Sequence, residues 1–224
     1  MTSKRALIPA ALLLAASLHP ALAETPPPAS EAEKTAYAVG LMIHRNLAAL
    51  ELSDAEFAQV LRALADARAG REAVRAEEYA PKVQALAQER AGKRTAAEKA
   101  KGVAYLEQAA KEPGAARTPS GLIYIETRAG TGESPSAHDK VKVHYRGTLV
   151  DGTEFDSSIQ RGQPAEFELS GVIACWTEAL EKMKVGGKAK LVCPPELAYG
   201  DRGRPSIPGG ATLVFEVELL EIVK

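Results

Sequence analysis

The chain has 224 residues, of which 46% are hydrophobic and 25% are charged, and its formal net charge is -1. This length allows one or two domains, and the composition is typical of a soluble globular protein. Nucleic acid or an anionic membrane would call for a concentrated basic face on the protein, which this charge balance does not suggest. We therefore expect no nucleic-acid partner.

The first residues have the pattern of a secretory signal peptide. Lys4 and Arg5 precede an apolar run at 6–18, and residues 21–23 give the small-x-small sequence of a cleavage site. The run is shorter than the roughly 20 residues that span a bilayer, so a retained anchor is the weaker alternative. We predict a signal peptide at 1–23 that is cleaved after Ala23, which leaves 26 basic and 29 acidic residues in an exported chain.

A Pro-rich leader at 24–30 precedes a segment at 31–112 that is rich in Ala, Glu, Lys, Arg and Leu. Strand signals are absent from this segment, so we predict a helical domain. A first helix at 31–50 would carry an apolar stripe made of Val39, Ile43, Leu47 and Leu50. The capping box at 53–56 predicts that a second helix starts at Ser53. Its buried stripe would be Phe57, Leu61 and Leu64.

A third helical stretch is predicted at 75–111, kinked or restarted near Pro81 and weakened at Gly92 and Gly102. As one rod it would be about 50 Å long. Two short helices and a long one with a thin, Ala-rich stripe bury little surface alone. We therefore expect a homodimer through the N-terminal helices; the alternative is a monomer in which this half folds loosely on the rest.

Pro113 and Gly114 mark the start of a different domain, predicted at 113–224. From here the chain has short β-rich runs separated by turn residues. We predict strands at 122–127, 140–149, 165–169, 188–193 and 211–222. One short amphipathic helix at 176–183 would lie across the resulting twisted antiparallel sheet.

Aromatic and branched apolar residues recur between Val141 and Phe215, together with one carboxylate and two phenols. They are His144-Tyr145, Phe155-Asp156-Ser157-Ser158, Val172-Ile173, Trp176, Ala198-Tyr199-Gly200 and Leu213-Val214-Phe215. A pocket built from such residues is apolar and holds few polar groups. This set indicates a site for an uncharged ligand.

The stretch from Gly121 to Val223 resembles the domain of the FKBP-type peptidyl-prolyl cis/trans isomerases. The resemblance rests on Val143-His144-Tyr145, Gly147, Leu149, Asp151-Gly152 and Phe155-Asp156-Ser157-Ser158. The residues Tyr37-Ala38-Val39-Gly40 and the spacing of Gly102 and Leu106 resemble the dimerising arm of the periplasmic FkpA and Mip-like subgroup. The resemblance implies an α+β fold, in which an all-helical dimerisation arm precedes a twisted antiparallel β-sheet wrapped on one short helix.

The resemblance also implies a peptidyl-prolyl isomerase that assists folding of proline-containing unfolded or exported polypeptides in the periplasm, without a cofactor. It implies catalytic roles for Asp156, Tyr199 and Tyr145, with Asp156 either orienting pocket groups or interacting with the twisted carbonyl. Substrate would be bound by Trp176 as the floor, Phe155, Val172, Ile173 and Phe215 as walls, Ile207 as a cap and Arg161 as the partner of Asp156. Tacrolimus-like macrolides are then possible inhibitors.

Two departures from the common family pattern concern the rim of the pocket. Ala165 stands where many members have an aromatic residue, and Arg204 stands where the human-type domain has His. The pocket is therefore expected to be wider and its rim more basic. Sequence preference and affinity for macrolides are left open by these two positions.

The only two cysteines, Cys175 and Cys193, stand where the family usually has Gly and an aliphatic residue. An even number of cysteines in an exported chain favours a bridge, so we predict a disulfide between them; two buried thiols are the alternative. The spread of His44, His138 and His144 argues against a metal site. Gly130-Thr131-Gly132 lacks the following helix that phosphate binding needs. The remaining alternative function is a holdase chaperone or polypeptide-binding module with incidental isomerase activity.

Overall fold

The computed structural model describes residues 26–223, so the predicted signal peptide and its cleavage site lie outside the described residues. The helices are α1 (Glu31–Leu47), α2 (Asp54–Arg68), α3 (Ala76–Ala109) and α4 (Ala174–Lys182). The strands are β1 (Ala115–Arg117), β2 (Ile123–Arg128), β3 (Lys140–Leu149), β4 (Glu154–Ser157), β5 (Ala165–Glu168), β6 (Lys188–Cys193) and β7 (Leu213–Val223). Short 3₁₀ turns lie at Ala48–Leu50, Leu169–Gly171 and Pro195–Leu197.

The chain forms two compact units that divide between Asn46 and Leu47. Among the described residues, the first unit contains the end of the Pro-rich leader and nearly all of α1, which has no buried residue. The start of α1 is capped, because the Ser30 hydroxyl accepts from the Glu33 amide and the Glu33 carboxylate accepts from the Ser30 amide. Five large apolar side chains of α1 are between 38% and 63% exposed, namely Tyr37, Val39, Leu41, Met42 and Ile43.

In the second unit, α2 starts with the capping box that the sequence predicts. The Ser53 hydroxyl accepts from the Glu56 amide, and the Glu56 carboxylate accepts from the Ser53 amide at 2.8 Å. Arg90 of α3 donates to the same carboxylate at 2.8 Å and to the Glu51 carbonyl at 2.5 Å. The bond from the Ser53 amide, followed by the contact with Arg90, lowers the pKa of Glu56 to about 2. This cluster fastens the start of α2 to α3.

α3 is one continuous helix of 34 residues, so the restart that the sequence predicts as one alternative near Pro81 does not occur. Pro81 is the sixth residue of α3, where it removes a single amide donor from an otherwise continuous ladder. Strand β4 and the three-residue β1 were not predicted. Both are short and exist through pairing, since β1 pairs with β2 and β4 pairs with β3.

The sheet is antiparallel, with strand order β1-β2-β6-β7-β3-β4, and β5 pairs with the other end of β3. Successive side chains of a strand point to opposite faces of the sheet. On one face Leu191 and Leu213 pack with α4, and on the other Val192 and Val214 pack with the end of α3. The predicted α+β fold, with helices followed by an antiparallel sheet around one short helix, is confirmed.

The last turns of α3 belong to the core of the second unit, since Leu106 and Ala109 are buried against Ile123 and Ile125. Gly102 brings α3 even closer to the chain before β7, because a Cβ at this position would lie 2.2 Å from Oγ1 of Thr212. The boundary between the two compact units lies before α2. The predicted domain boundary at 112/113 instead follows the change from helical to strand-rich sequence. No helix of the described residues is long and apolar enough to cross a membrane.

Candidate active site

A cleft of about 640 Å³ opens between α4, the strands and the loop that precedes β7. Most of the lining side chains are apolar or aromatic. The lining consists of Tyr145, Phe155, Asp156, Phe167, Gly171, Val172, Ile173, Trp176, Ala198, Tyr199, Arg204, Ser206, Ile207 and Phe215. Only Asp156 and Arg204 in this set carry a charge at neutral pH. The cleft is therefore built to remove a ligand from water.

Trp176 of α4 forms the floor and is 4% exposed. Its ring meets Tyr145, Phe215 and Phe167 edge to face, with centroid distances of 5.1, 5.4 and 5.5 Å. Phe155 extends the cluster by meeting Phe215 at 5.6 Å. Edge-to-face pairs stabilise such clusters beyond the area they bury. The five rings thus form one packed wall of the cleft.

Gly147 of β3 gives two of these rings their room. A Cβ at this position would lie 2.7 Å from the ring of Phe155 and 2.9 Å from the ring of Phe215. Both distances are shorter than van der Waals contact, so any side chain at 147 would push the rings out of place. The glycine of the sequence motif is therefore explained by the close approach of the aromatic side chains.

Two polar residues of the cleft lining, Tyr145 and Asp156, are bonded to each other and to Arg161. The Tyr145 hydroxyl donates to Oδ2 of Asp156 at 2.5 Å, and Arg161 donates to the Tyr145 oxygen at 2.9 Å. Arg161 also forms an ion pair with Oδ1 of Asp156. Both oxygens of the carboxylate are therefore engaged, and the tyrosine hydroxyl is held between an acceptor and a donor. This arrangement fixes the direction in which the Tyr145 hydroxyl points.

The same contacts set the charge states. Burial disfavours a charged Asp156, but the hydrogen bonds from Tyr145 and Arg161 and the charge of Arg161 outweigh it, so the pKa of Asp156 is lowered. Burial and the bond to Asp156 raise the pKa of Tyr145. At neutral pH the carboxyl group is ionised and the phenol keeps its proton.

Ser157 and Ser158 build the turn that carries Asp156. The Ser158 hydroxyl is completely buried and accepts from the Tyr145 amide at 2.8 Å, so it ties β4 to β3 beside the cleft. Ser157 accepts from the Gln160 amide at 3.1 Å. The two serines of the motif thus position the residues next to them and do not line the cleft.

The loop before β7 supplies the opposite wall. Tyr199 and Ile207 line the cleft, and Arg204 lies over the Tyr199 ring with its Cζ 4.5 Å from the ring centroid. The amide of Arg204 donates to the Ile207 carbonyl at 2.8 Å, and the Ile207 amide donates back at 2.9 Å. On its far side the loop meets α3, where Lys99 forms an ion pair with Asp201 at 2.6 Å.

Cys175 and Cys193 form a disulfide that joins α4 to the end of β6. Both residues are completely buried, and Cys175 immediately precedes Trp176 in the chain. The bond therefore ties the helix that carries the floor of the cleft to the central part of the sheet.

The structure brings the predicted site residues together. Nine of them line the cleft, while Arg161 acts through Asp156 and Tyr145, and the two cysteines lie behind the floor. Phe167 lines the cleft but was not predicted, and Ala165 does not line it. The signal for Phe167 was its alternation with the exposed Glu166 and Glu168 in β5. Among residues 26–223, no cluster of His, Cys, Asp and Glu could hold a metal ion.

Two family models match the chain. The model for FKBP-type peptidyl-prolyl cis-trans isomerase matches residues 131–220, which contain the whole cleft lining. The model for the domain amino terminal to FKBP-type peptidyl-prolyl isomerase matches residues 32–125.

Similar proteins carry the same family name. The FKBP-type peptidyl-prolyl cis-trans isomerase FkpA of Escherichia coli K12 is 46% identical over 172 residues, which are 77% of this chain and 58% of that protein. FkpA of Aeromonas hydrophila is 42% identical over 206 residues, covering 86% of this chain and 76% of that protein. The chain thus spans 58% of the length of the first of these relatives.

A solved structure is similar as well. The crystal structure of FkpA from Escherichia coli matches with a TM-score of 0.70 and 40% sequence identity, covering 86% of this chain and 97% of that chain. Two family models, relatives above 40% identity and a shared fold agree with the geometry of the cleft. The chain belongs to the family of FKBP-type peptidyl-prolyl cis-trans isomerases.

Proposed function

We propose that this chain accelerates the cis/trans rotation of X-Pro bonds in exported polypeptides and so assists their folding. The observation that carries the proposal is the cleft itself, in which six aromatic side chains line a space whose one carboxylate is already paired. Rotation about an X-Pro bond has a barrier of ~18 to 20 kcal/mol and takes ~10 to 100 s without a catalyst. No covalent step or cofactor is needed to lower it.

The planar amide is polar because nitrogen donates its lone pair to the carbonyl. The twisted transition state lacks this resonance and much of the charge separation. Removal from water therefore costs the twisted form less solvation free energy than it costs the planar form. A dry cleft therefore binds the transition state better than the ground state, which is the requirement for catalysis. Trp176, 4% exposed, supplies the floor on which the proline ring would lie.

The polar groups take separate roles in this proposal. Tyr199 would donate a hydrogen bond to a substrate carbonyl from the loop wall. Asp156 has both oxygens engaged by Tyr145 and Arg161, which favours the orienting role over direct contact with the twisted carbonyl. Val172 and Ile173 would form the side of the proline site, and Ile207 would cap it. A tacrolimus-like macrolide would compete for the same apolar surface.

The test follows cis/trans exchange of a Leu-Pro peptide by NMR, with no coupled protease. We expect wild-type protein to accelerate exchange and Trp176→Ala to lose most of the acceleration. Tyr79→Ala is the matched control, because Tyr79 is 43% exposed on α3 and lies outside the cleft lining. A wild-type protein that leaves the exchange rate unchanged would refute the proposed function.

We further propose that the helical segment at 31–112 makes the chain a homodimer and that 113–224 is the isomerase domain. Five large apolar side chains of α1 are exposed in the single chain, with Tyr37 60% and Met42 63% exposed. A second copy of α1 is a suitable cover for them. Light scattering should give the mass of a dimer for the wild type and of a monomer for Met42→Glu. A wild-type monomer would contradict the proposal.

The same exposed residues support the second candidate function, a holdase that binds unfolded chains. In that case Trp176→Ala should still suppress aggregation of an unfolded client, since the cleft is not required. If Trp176→Ala loses both the suppression of aggregation and the isomerase activity, both activities belong to the cleft. Export to the periplasm is the proposed location, and it is supported by the sequence pattern at 1–23 and by the disulfide, which persists in oxidising compartments.

A further inference from the structure

The rim of the cleft carries one charged group whose charge is not balanced. Asp156 is compensated by Arg161, and Asp201 at the back of the loop is compensated by Lys99. Arg204 lines the cleft, and within residues 26–223 no carboxylate lies within ion-pair distance of it. The mouth of an otherwise apolar site therefore presents a positive charge to whatever binds there.

The position of Arg204 is restrained from two sides. Its backbone pairs with Ile207 in both directions, at 2.8 and 2.9 Å, which closes a tight turn. Its guanidinium lies 4.5 Å from the centroid of the Tyr199 ring, in the geometry of a cation-π contact. Such stacking uses the flat face of the guanidinium and leaves its N–H edge available, which is the edge that binds a carboxylate with two hydrogen bonds.

We infer that Arg204 is a specificity-determining residue that favours substrates with an acidic side chain next to the proline. The inference rests on the proposed function, because Tyr199 would bind a carbonyl of the same substrate beside which Arg204 stands. A Glu or Asp adjacent to the proline would reach the N–H edge of Arg204 while the proline ring occupies the floor. A Lys at that position would meet an uncompensated positive charge.

The expected size of the effect is that of an exposed ion pair. Arg204 is exposed, so the preference for Glu over Gln should be about two- to fivefold in kcat/KM at low salt. It should fall as sodium chloride is raised, since salt screens exposed charges. In Arg204→Gln the ratio of kcat/KM for the Glu and Gln peptides should be close to one. In Arg204→Glu the Lys peptide should be preferred over the Gln peptide.

The experiment measures NMR exchange rates for peptides that differ in one residue, with Glu, Gln or Lys placed either before or after the proline. The same samples give the dissociation constant of each peptide from chemical-shift titration. Arg202→Gln is the matched control, because Arg202 lies in the same loop and carries the same charge but does not line the cleft. Its Glu-to-Gln ratio should stay close to the wild-type ratio.

Equal rates and affinities for Glu and Gln peptides in the wild type would overturn the inference and leave the proposed function intact. An equal loss in Arg202→Gln and Arg204→Gln would also overturn it, since the effect would then belong to the general field of the loop. If the wild type accelerates no peptide, the proposed function fails, and the ratio of dissociation constants still decides whether Arg204 selects acidic ligands.

Discussion

Gly102→Ala tests how α3 is seated on the sheet. Gly102 is buried in the helix, and an added Cβ would lie 2.2 Å from Oγ1 and 3.0 Å from Cβ of Thr212. Thr212 is 2% exposed, so its side chain has no free space into which it could move. Ordinary contact begins near 3.4 Å, and the methyl group must therefore displace either α3 or the chain before β7 by about 1 Å.

Two opposing terms set the magnitude. Overpacking of a buried site costs about 1 to 3 kcal/mol, and alanine gains about 1 kcal/mol over glycine inside a helix. The short contact places the cost in the upper part of its range, so we expect a net loss of about 1 to 2 kcal/mol. For a chain of this length that loss lowers the melting temperature by about 2 to 8 °C. Thermal unfolding followed by circular dichroism at fixed protein concentration measures it.

Gly92→Ala is the matched control, because it lies in the same helix and a Cβ there would meet nothing within 4 Å. It should raise the melting temperature, since only the helix propensity changes. The Oγ1 of Thr212 has no hydrogen-bond partner in the described structure, so Thr212→Ala orphans no other group. The double variant Gly102→Ala/Thr212→Ala should be more stable than the sum of the two single effects. Strict additivity, or a Gly102→Ala protein as stable as Gly92→Ala, would show that Gly102 and Thr212 are not in tight contact.

Three more predictions follow from the other contacts. The carboxyl group of Glu56 should titrate near 2 by NMR. Because its pKa is lowered from 4.5, its contribution to the free energy of unfolding should be complete above pH 4.5 and disappear as the pH falls towards 2. A titration near 4.5 would contradict this prediction. Reduction of the Cys175–Cys193 bond should lower the free energy of unfolding, measured with denaturant, by ~3 kcal/mol for a separation of 18 residues. An unfolding midpoint that is the same with and without reductant would contradict a stabilising disulfide. Since the pKa of Asp156 is lowered from 3.8, kcat/KM should stay constant as the pH falls to about 4 and decline only below that pH. A decline that already begins near pH 5 would contradict the pairing of this carboxylate with Arg161 and Tyr145.

The sequence predicted those parts of the fold in which local pattern and tertiary pairing agree. β3 and β6 have the predicted bounds, because clear turn residues flank both runs. β1 and β4, with three and four residues, escaped prediction because they have too few residues for a periodicity and form only by pairing with a longer strand. Their existence is a property of the sheet.

Gly102 shows a different limit of sequence reasoning. In the sequence it reads as a weak point of a long helix, whereas in the structure it is the point of closest approach between α3 and the chain at Thr212. Helix propensity describes one helix by itself and contains no information about what packs against it. The same holds for Phe167, which the two-residue alternation of β5 placed on the face of Ala165 but which only the fold brings to Trp176.

The cleft lining was largely predictable because its residues form sequence motifs of the family, and each motif sits on a separate element that faces the same space. The hydrogen bonds among Asp156, Tyr145 and Arg161 were less predictable from the sequence. They depend on the pairing of β3 with β4 and on the turn that brings Arg161 back to Asp156, and spacing alone could not show that both carboxylate oxygens are engaged.

Trp176 is the only tryptophan of the chain, and it is also the floor of the cleft. The protein therefore contains its own fluorescent reporter, in contact with the site of interest and surrounded by rings of Tyr145, Phe167 and Phe215. A ligand that settles on the floor must change the surroundings of the indole, so binding can be titrated by intrinsic emission without a label. The same emission reports only on the unit that contains the sheet, which allows its unfolding to be followed separately from that of α1.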